Sequence, residues 1–203
     1  MKTLDVGCGE GKLYSWIDVS ADDLTGIDSN PKAIAAAQVR FPHWTFVECH
    51  GEKLPFTDQS FERIVSNVAL PYMNIPAALA EMYRVLVPDG WIHLSLHPPS
   101  WTLTELGRCF PNPKASLGRL SILVIGSVFH LTGRSISLKG HIESFQTERG
   151  MRQALRRAGF QRIQFVHKDG RFFATAQKCP RLVNSSPENT RRRASSQDDR
   201  YAA

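Results

Sequence analysis

An α/β protein built on a doubly wound sheet, mostly parallel and ending in an antiparallel C-terminal hairpin strand, is the fold class the sequence predicts. Three observations predict it. Short apolar runs alternate with helical patterns between residues 3 and 96, the rhythm of a parallel sheet covered on both faces. The first run feeds a loop with glycines at Gly7, Gly9 and Gly11. Near the other end, two β-rich runs flank Lys168-Asp169-Gly170-Arg171, and Asp-Gly is a strong hairpin signal.

Each element has its own warrant. Residues 3–6 are a short apolar strand, and Leu13, Trp16 and Ile17 then recur at the spacing of one helix face. Residues 24–27 form a second strand that ends on Asp28. Asn30 suits a helix N-cap, Pro31 the first helical position, and alanines fill the interior that follows. Residues 44–48 and 62–66 read as the third and fourth strands, the latter introduced by the polar turn TDQSF. A helix over residues 76–85 carries Ala77, Leu79, Ala80, Met82 and Tyr83; VPDG reads as a turn, and residues 91–96 as the fifth strand. The rhythm breaks after Pro98 and returns at Thr147, an N-cap ahead of Met151, Leu155 and Ala158, with Gly159 as the stop. One domain is expected over residues 1–179, with residues 98–146 inserted as a substrate or lid segment.

Composition narrows the class. The chain has 203 residues, enough for one domain with a full core, and its 42% apolar and 22% charged content is ordinary for a globular protein. Cys8, Cys49, Cys109 and Cys179 form no CxxC pair and have no histidine at metal spacing. That pattern predicts neither a metal site nor a disulfide framework, and it suits a reducing cytoplasm. No signal peptide is visible. The longest apolar run, residues 120–131, is shorter than the ~20 residues a bilayer span needs. It reads as a buried or lid helix, with peripheral membrane contact as the alternative. Residues 180–203 read as a disordered polar tail. Its Arg191-Arg192-Arg193 reads as a solvated run rather than a nucleic-acid contact.

The glycine loop carries the chemistry. A loop leaving a strand and entering a helix presents free backbone N–H groups, and glycines let a ligand approach them closely. Open α/β sheets bind ligands at this edge. The second strand delivers Asp28 there, where a carboxylate can accept from two ribose hydroxyls. The spacing is GxGxG rather than the dinucleotide GxGxxG. Asp5 precedes it, and an acid at that place would repel a pyrophosphate but not an amino group or a sulfonium. S-adenosyl-L-methionine therefore fits better than NAD.

The stretches DVGCGEG, GIDSN, GEKLPFTDQSFERIVSN and LAEMYRVLVPDGWIHL resemble the class I S-adenosylmethionine-dependent methyltransferases. More narrowly, they resemble the branch described as methyltransferase type 11. The likeness runs from Thr3 to about His97 and resumes over FQTERGMRQALRRAGF. It implies a Rossmann-like sheet. It also implies that Asp5, Gly7, Gly9 and Glu10 line the methionine end and that Asp28, with Ser29 beside it, takes the ribose hydroxyls. His50, Gly51 and Glu52 would border the adenine, and Ser66 and Asn67 would close the pocket near the methyl group. The chain departs from the family's pattern at His50, where Asp is common, at Glu62 of SFE, and at Asp89 of PDG. It also has two residues before the first strand, where the family carries cap helices. Either the true start lies upstream or the pocket is open on one side.

The implied reaction is methyl transfer by in-line displacement, which asks mainly for alignment. A base is needed only where the acceptor loses a proton. Candidate bases are His97, which also reads as a hydrogen-bonded loop histidine, and His141 with Glu143; Tyr72 reads either as an acceptor wall or as core packing. Between residues 98 and 140 five basic side chains (Arg108, Lys114, Arg119, Arg134, Lys139) stand against one acid, Glu105. Together with Trp101, Phe110 and Phe129, this suggests a small, amphiphilic or anionic acceptor, such as a lipid-linked or sugar-conjugate molecule. A catalytically inactive S-adenosylmethionine-binding remnant is the alternative from another class, and an NAD(P)-dependent reductase is a third. The oligomeric state has no signal in the sequence.

Overall fold

The computed structural model describes residues 1–11, 23–109, 113–138, 142–168 and 170–179. Among the described residues seven strands form one sheet in the order β3-β2-β1-β4-β5-β7-β6. The strands are β1 (Lys2–Val6), β2 (Asp23–Asp28), β3 (Thr45–Glu48), β4 (Phe61–Asn67), β5 (Leu86–Leu96), β6 (Gln161–Lys168) and β7 (Arg171–Gln177). The pairs β1–β2, β2–β3, β1–β4 and β4–β5 are parallel. β7 runs antiparallel to both β5 and β6. The expected mixed sheet is therefore present, and its strand order reverses between β1 and β4, where open α/β sheets bind ligands.

Caps and apolar stripes explain the helices. In α1 (Pro31–Arg40) the Asn30 side chain accepts from the Lys32 N–H and proline opens the first turn. In α2 (Ile75–Val85) Asn74 does the same for the Ala77 N–H. In α5 (Glu148–Ala158) Thr147 caps Gly150, and Gly159 ends the helix at φ 102°. That left-handed conformation suits a residue without Cβ.

Both faces of the sheet are covered. The main core joins Leu4, Val6, Ile27, Ile64, Leu94 and Leu96 of the sheet to Leu79 and Met82 of α2 and Met151 and Leu155 of α5. A smaller cluster of Cys8, Ile34, Ala37 and Phe46 lies under α1. It occupies the opposite face. A Cβ on Gly26 would meet Phe46 and Cys8, whereas the next residue, Ile27, points into the main core.

The inserted segment is largely helical: α3 (Pro99–Cys109) and α4 (Pro113–Thr132). The apolar run of residues 120–131 lies in α4. It buries Ile122, Ile125 and Phe129 at helical spacing but leaves Leu120, Val124 and Leu131 exposed. No helix among the described residues is long and apolar enough to cross a membrane. Beyond α4, an extended stretch returns to the sheet edge. The Ser144 N–H donates to the Pro71 carbonyl, and the Ile75 N–H to the Ser135 hydroxyl.

One expectation is corrected. VPDG does not separate a helix from a strand; it lies inside β5. Phe61 pairs with Leu86 and Arg63 with Trp91, so four residues of β5 bulge opposite Glu62. Asp89 makes this possible at φ 62°, a conformation Asp tolerates better than most residues. The helix read from Leu13, Trp16 and Ile17, His141, Lys139 and the tail over residues 180–203 lie outside the described residues.

Candidate functional site

The site is built where β1, β2 and β3 end. Gly7 and Cys8 both donate their N–H groups to the Ile27 carbonyl (2.8 and 2.9 Å), and Cys49 donates its own to the Asp28 carbonyl (3.1 Å). These bonds hold the glycine loop and the two following strand ends in one plane. Asp28 completes the tie. Its Oδ2 accepts the Gly9 N–H and its Oδ1 the Asn30 N–H, each at 2.9 Å. The second bond is a local Asp turn onto the α1 cap, so the sequence DSN fixes the carboxylate's direction. A carboxylate oxygen carries two lone pairs, so each oxygen keeps acceptor capacity toward the cleft.

Two clefts meet at Gly7 and Asp28. One, of about 330 Å³, is lined further by Ser29, Cys49, His50, Gly51 and Glu52 and by Ala69, Tyr72, Met73 and Ile142. The other, of about 380 Å³, is lined by Cys8, Gly9, Glu10, Asn30 and Ala33. Both lie in the size range of small-ligand sites. Gly7 has φ 78° and a Cβ on it would stand 2.2 Å from the Ala69 Cβ, so the loop turns against the residues following β4 at a distance only glycine permits. A Cβ on Gly9 would meet nothing within 4 Å; the space in front of that N–H-rich backbone is open.

Most of the expected residues converge. Gly7, Gly9, Glu10, Asp28, Ser29, His50, Gly51 and Glu52 line one cleft or the other. Glu52 also accepts the Asn74 N–H at 2.9 Å, which couples this wall to the start of α2. Three residues differ. Asp5 is 6% exposed and lines neither cleft. Ser66 is fully buried and donates its hydroxyl to the Val6 carbonyl at 2.8 Å, so it braces the glycine loop from beneath. Asn67 ends β4 half-buried opposite Ser95, outside both linings.

Tyr72, which reads either as an acceptor wall or as core, is 55% exposed and lines the cleft. His97 stands past the end of β5, its ring edge-on to Trp101 at 5.1 Å. Its backbone is clamped by a residue that sequence reasoning missed. Gln146, fully buried, accepts the His97 N–H through Oε1 at 2.9 Å and returns its own N–H to the His97 carbonyl at 2.8 Å. A glutamine just ahead of a helix cap carries no signal of a partner 49 residues away.

Electrostatics separate the two cleft thiols from chemistry. Burial pushes Cys49 up to about 11. Burial and then the Asp5 and Asp28 carboxylates push Cys8 higher still. Neither is a thiolate at neutral pH. No cluster of metal-binding side chains occurs among the described residues.

Comparisons with known proteins agree with this geometry. Residues 4–94 match the family described as a methyltransferase domain. An uncharacterized methyltransferase of Synechocystis sp. is 34% identical over 103 residues, 49% of each chain. A demethylmenaquinone methyltransferase of Chlorobaculum parvum is 27% identical over 168 residues, 81% of this chain and 67% of the relative. The protein thus spans about half to two thirds of these curated relatives. Among solved structures, a methyltransferase from Methanosarcina mazei superposes with a TM-score of 0.61 at 22% identity, covering 88% of this chain and 92% of that one. A Thermotoga maritima methyltransferase gives 0.60 at 16% identity, covering 87% and 81%. These two likenesses concern the fold. With the match over residues 4–94 and the cleft at the end of β1 and β2, the chain is similar to the class I S-adenosylmethionine-dependent methyltransferases, whose cofactor is S-adenosyl-L-methionine.

Proposed function

We propose that the protein methylates a small or amphiphilic acceptor. The observation that carries this reading is the Asp28 carboxylate, fixed by the Gly9 and Asn30 N–H groups at the junction of both clefts. The residues present fit the cofactor: an acceptor-only carboxylate for ribose, an open glycine backbone for the methionine end, and His50, Gly51 and Glu52 as an adenine wall. When bound, S-adenosylmethionine supplies a methyl group on a cationic sulfur, which the acceptor displaces in line.

The chain's own part is alignment and shielding. Tyr72, Met73 and Ile142 line the same cleft as Asp28 and His50, and two of the three are apolar. His97, held by Gln146 at the same sheet edge, is the candidate to take a proton where the acceptor has one to lose. The basic, apolar-faced inserted segment supports an amphiphilic acceptor, and the small-molecule names among the relatives point the same way. A screen of acceptors with labelled methyl donor tests the reading. Label transfer that Asp28→Ala suppresses is expected. Tight donor binding without transfer to any acceptor would favour the inactive remnant instead.

A further inference from the structure

A third cleft, of about 570 Å³, opens between the β6–β7 hairpin and the start of α3. It is lined by Pro98, Pro99, Ser100, His167, Lys168, Gly170 and Arg171. Lys168 and Arg171 are directly paired across the hairpin end, so their side chains share one face. Like charges in that position repel. The Arg171 guanidinium leans over the Trp101 ring, 5.9 Å from its centre. His167 also borders the cleft, but its Nε2 meets Glu148 Oε1 at 2.6 Å. None of the described lining residues is acidic; Asp169 lies outside the described residues. From the other side comes the N-terminus of α3, an 11-residue helix. Pro99 has no N–H, so Ser100 offers the first one of that helix, together with its hydroxyl.

We infer that this cleft binds a phosphoryl group. A flat carboxylate presents two oxygens. A tetrahedral phosphate presents three or more and can meet a guanidinium, an ammonium and a helix N-terminus from three directions at once. The position relates the anion to methyl transfer. Leu96 pairs with Phe172, so the hairpin tip stands at the same sheet edge as His97 and the cofactor clefts. Two strand spacings, about 10 Å, separate β4 from β7. The acceptor is then an extended molecule whose phosphoryl group anchors about that far from the reacting atom. Leu103, one helical turn beyond Pro99 and 56% exposed, gives an apolar exit suited to a lipid-borne phosphate. That the anion belongs to the acceptor rests on the methyltransferase reading; the anion site itself does not.

Trp101 provides the readout, because an anion that draws Arg171 changes the environment of its ring. Pyrophosphate titrated at low salt into the full chain should change tryptophan fluorescence saturably, and Trp101→Phe should remove the change. The double variant Lys168→Ala/Arg171→Ala should weaken binding at least tenfold. Both side chains are exposed at a hairpin tip, so the variant should keep its fold and its heat of S-adenosylmethionine binding. Vesicles of phosphatidate in phosphatidylcholine form the second arm. Binding of pyrophosphate that the double variant loses identifies a soluble phosphorylated ligand; binding of vesicles alone, lost in the same variant, identifies a lipid-borne one. Failure of both probes, or binding unchanged in the double variant, overturns the site. If S-adenosylmethionine still binds in that case, the methyltransferase reading stands without it.

Discussion

Asp28 accepts two backbone N–H bonds, from Gly9 and Asn30, with the cleft opening beside it. Removing the carboxylate deletes these two bonds, which frees the glycine loop, and takes away the acceptor proposed for the ribose hydroxyls. Hydrogen bonds to a charged group contribute about 1.5–3 kcal/mol each, so Asp28→Ala should weaken cofactor binding by more than tenfold in a direct titration. Gly7 is a different kind of residue. Its φ of 78° and the 2.2 Å approach of Ala69 to any added Cβ predict that Gly7→Ala lowers stability by about 2 kcal/mol or more, read by chemical denaturation. Cys49 reports occupancy. With its thiol pushed up to about 11 by burial at the cleft wall, it should alkylate slowly at neutral pH and faster as pH rises. S-adenosylmethionine should protect it, as followed by peptide mass analysis.

At the scale of elements, what the sequence disclosed was what local chemistry decides. Asn30 and Thr147 cap the helices they were expected to cap, and Gly159 ends α5. The strand ends that deliver Gly7, Asp28 and Asn67 follow from apolar runs a few residues long. Contacts between distant segments were not legible. The β5 bulge depends on Glu62 and Arg63 of a neighbouring strand. The surroundings of Tyr72 include a stretch of the inserted segment whose Ser144 bonds the neighbouring Pro71 carbonyl. Gln146 shows the same limit: its amide joins that stretch to the end of β5, accepting from His97 and donating to the Ser144 carbonyl at 2.6 Å. Gln146→Leu leaves the backbone groups of His97 and Ser144 that its side chain bonded without those partners. A loss of about 2–4 kcal/mol is expected, seen as a lower thermal midpoint. Labelled transfer should fall further than cofactor affinity, because the disturbed edge carries His97, the proposed proton acceptor.

Across the whole molecule, one charged network ties the cofactor-side loop to the helical layer. Glu81 and Arg84 of α2 meet through two bonds of 2.8 Å, and Glu81 also accepts the Leu54 N–H. Arg84 reaches on to the Phe56 and Leu54 carbonyls and to Asp58. Hydrogen bonding from Arg84 holds the Glu81 carboxyl below its ordinary value. The sign follows: a carboxylate depressed in the folded state adds stability above its unfolded pKa and loses that contribution as pH falls through the folded value. Glu81→Gln should therefore lower stability by about 1–3 kcal/mol at neutral pH, and the gap between variant and parent should close in acid. The loop this network anchors leads from the His50–Glu52 wall, so the same variant should loosen cofactor binding modestly. Whether the cleft at Asp28 holds the cofactor is decided by isothermal calorimetry of the full chain with S-adenosylmethionine, S-adenosylhomocysteine and NAD, alongside Asp28→Ala. Saturable heat with the first two, little with NAD, and a more than tenfold weaker donor in the folded variant is the predicted result. No saturable heat from either donor or product at millimolar concentration, or equal affinity in the variant, would contradict it.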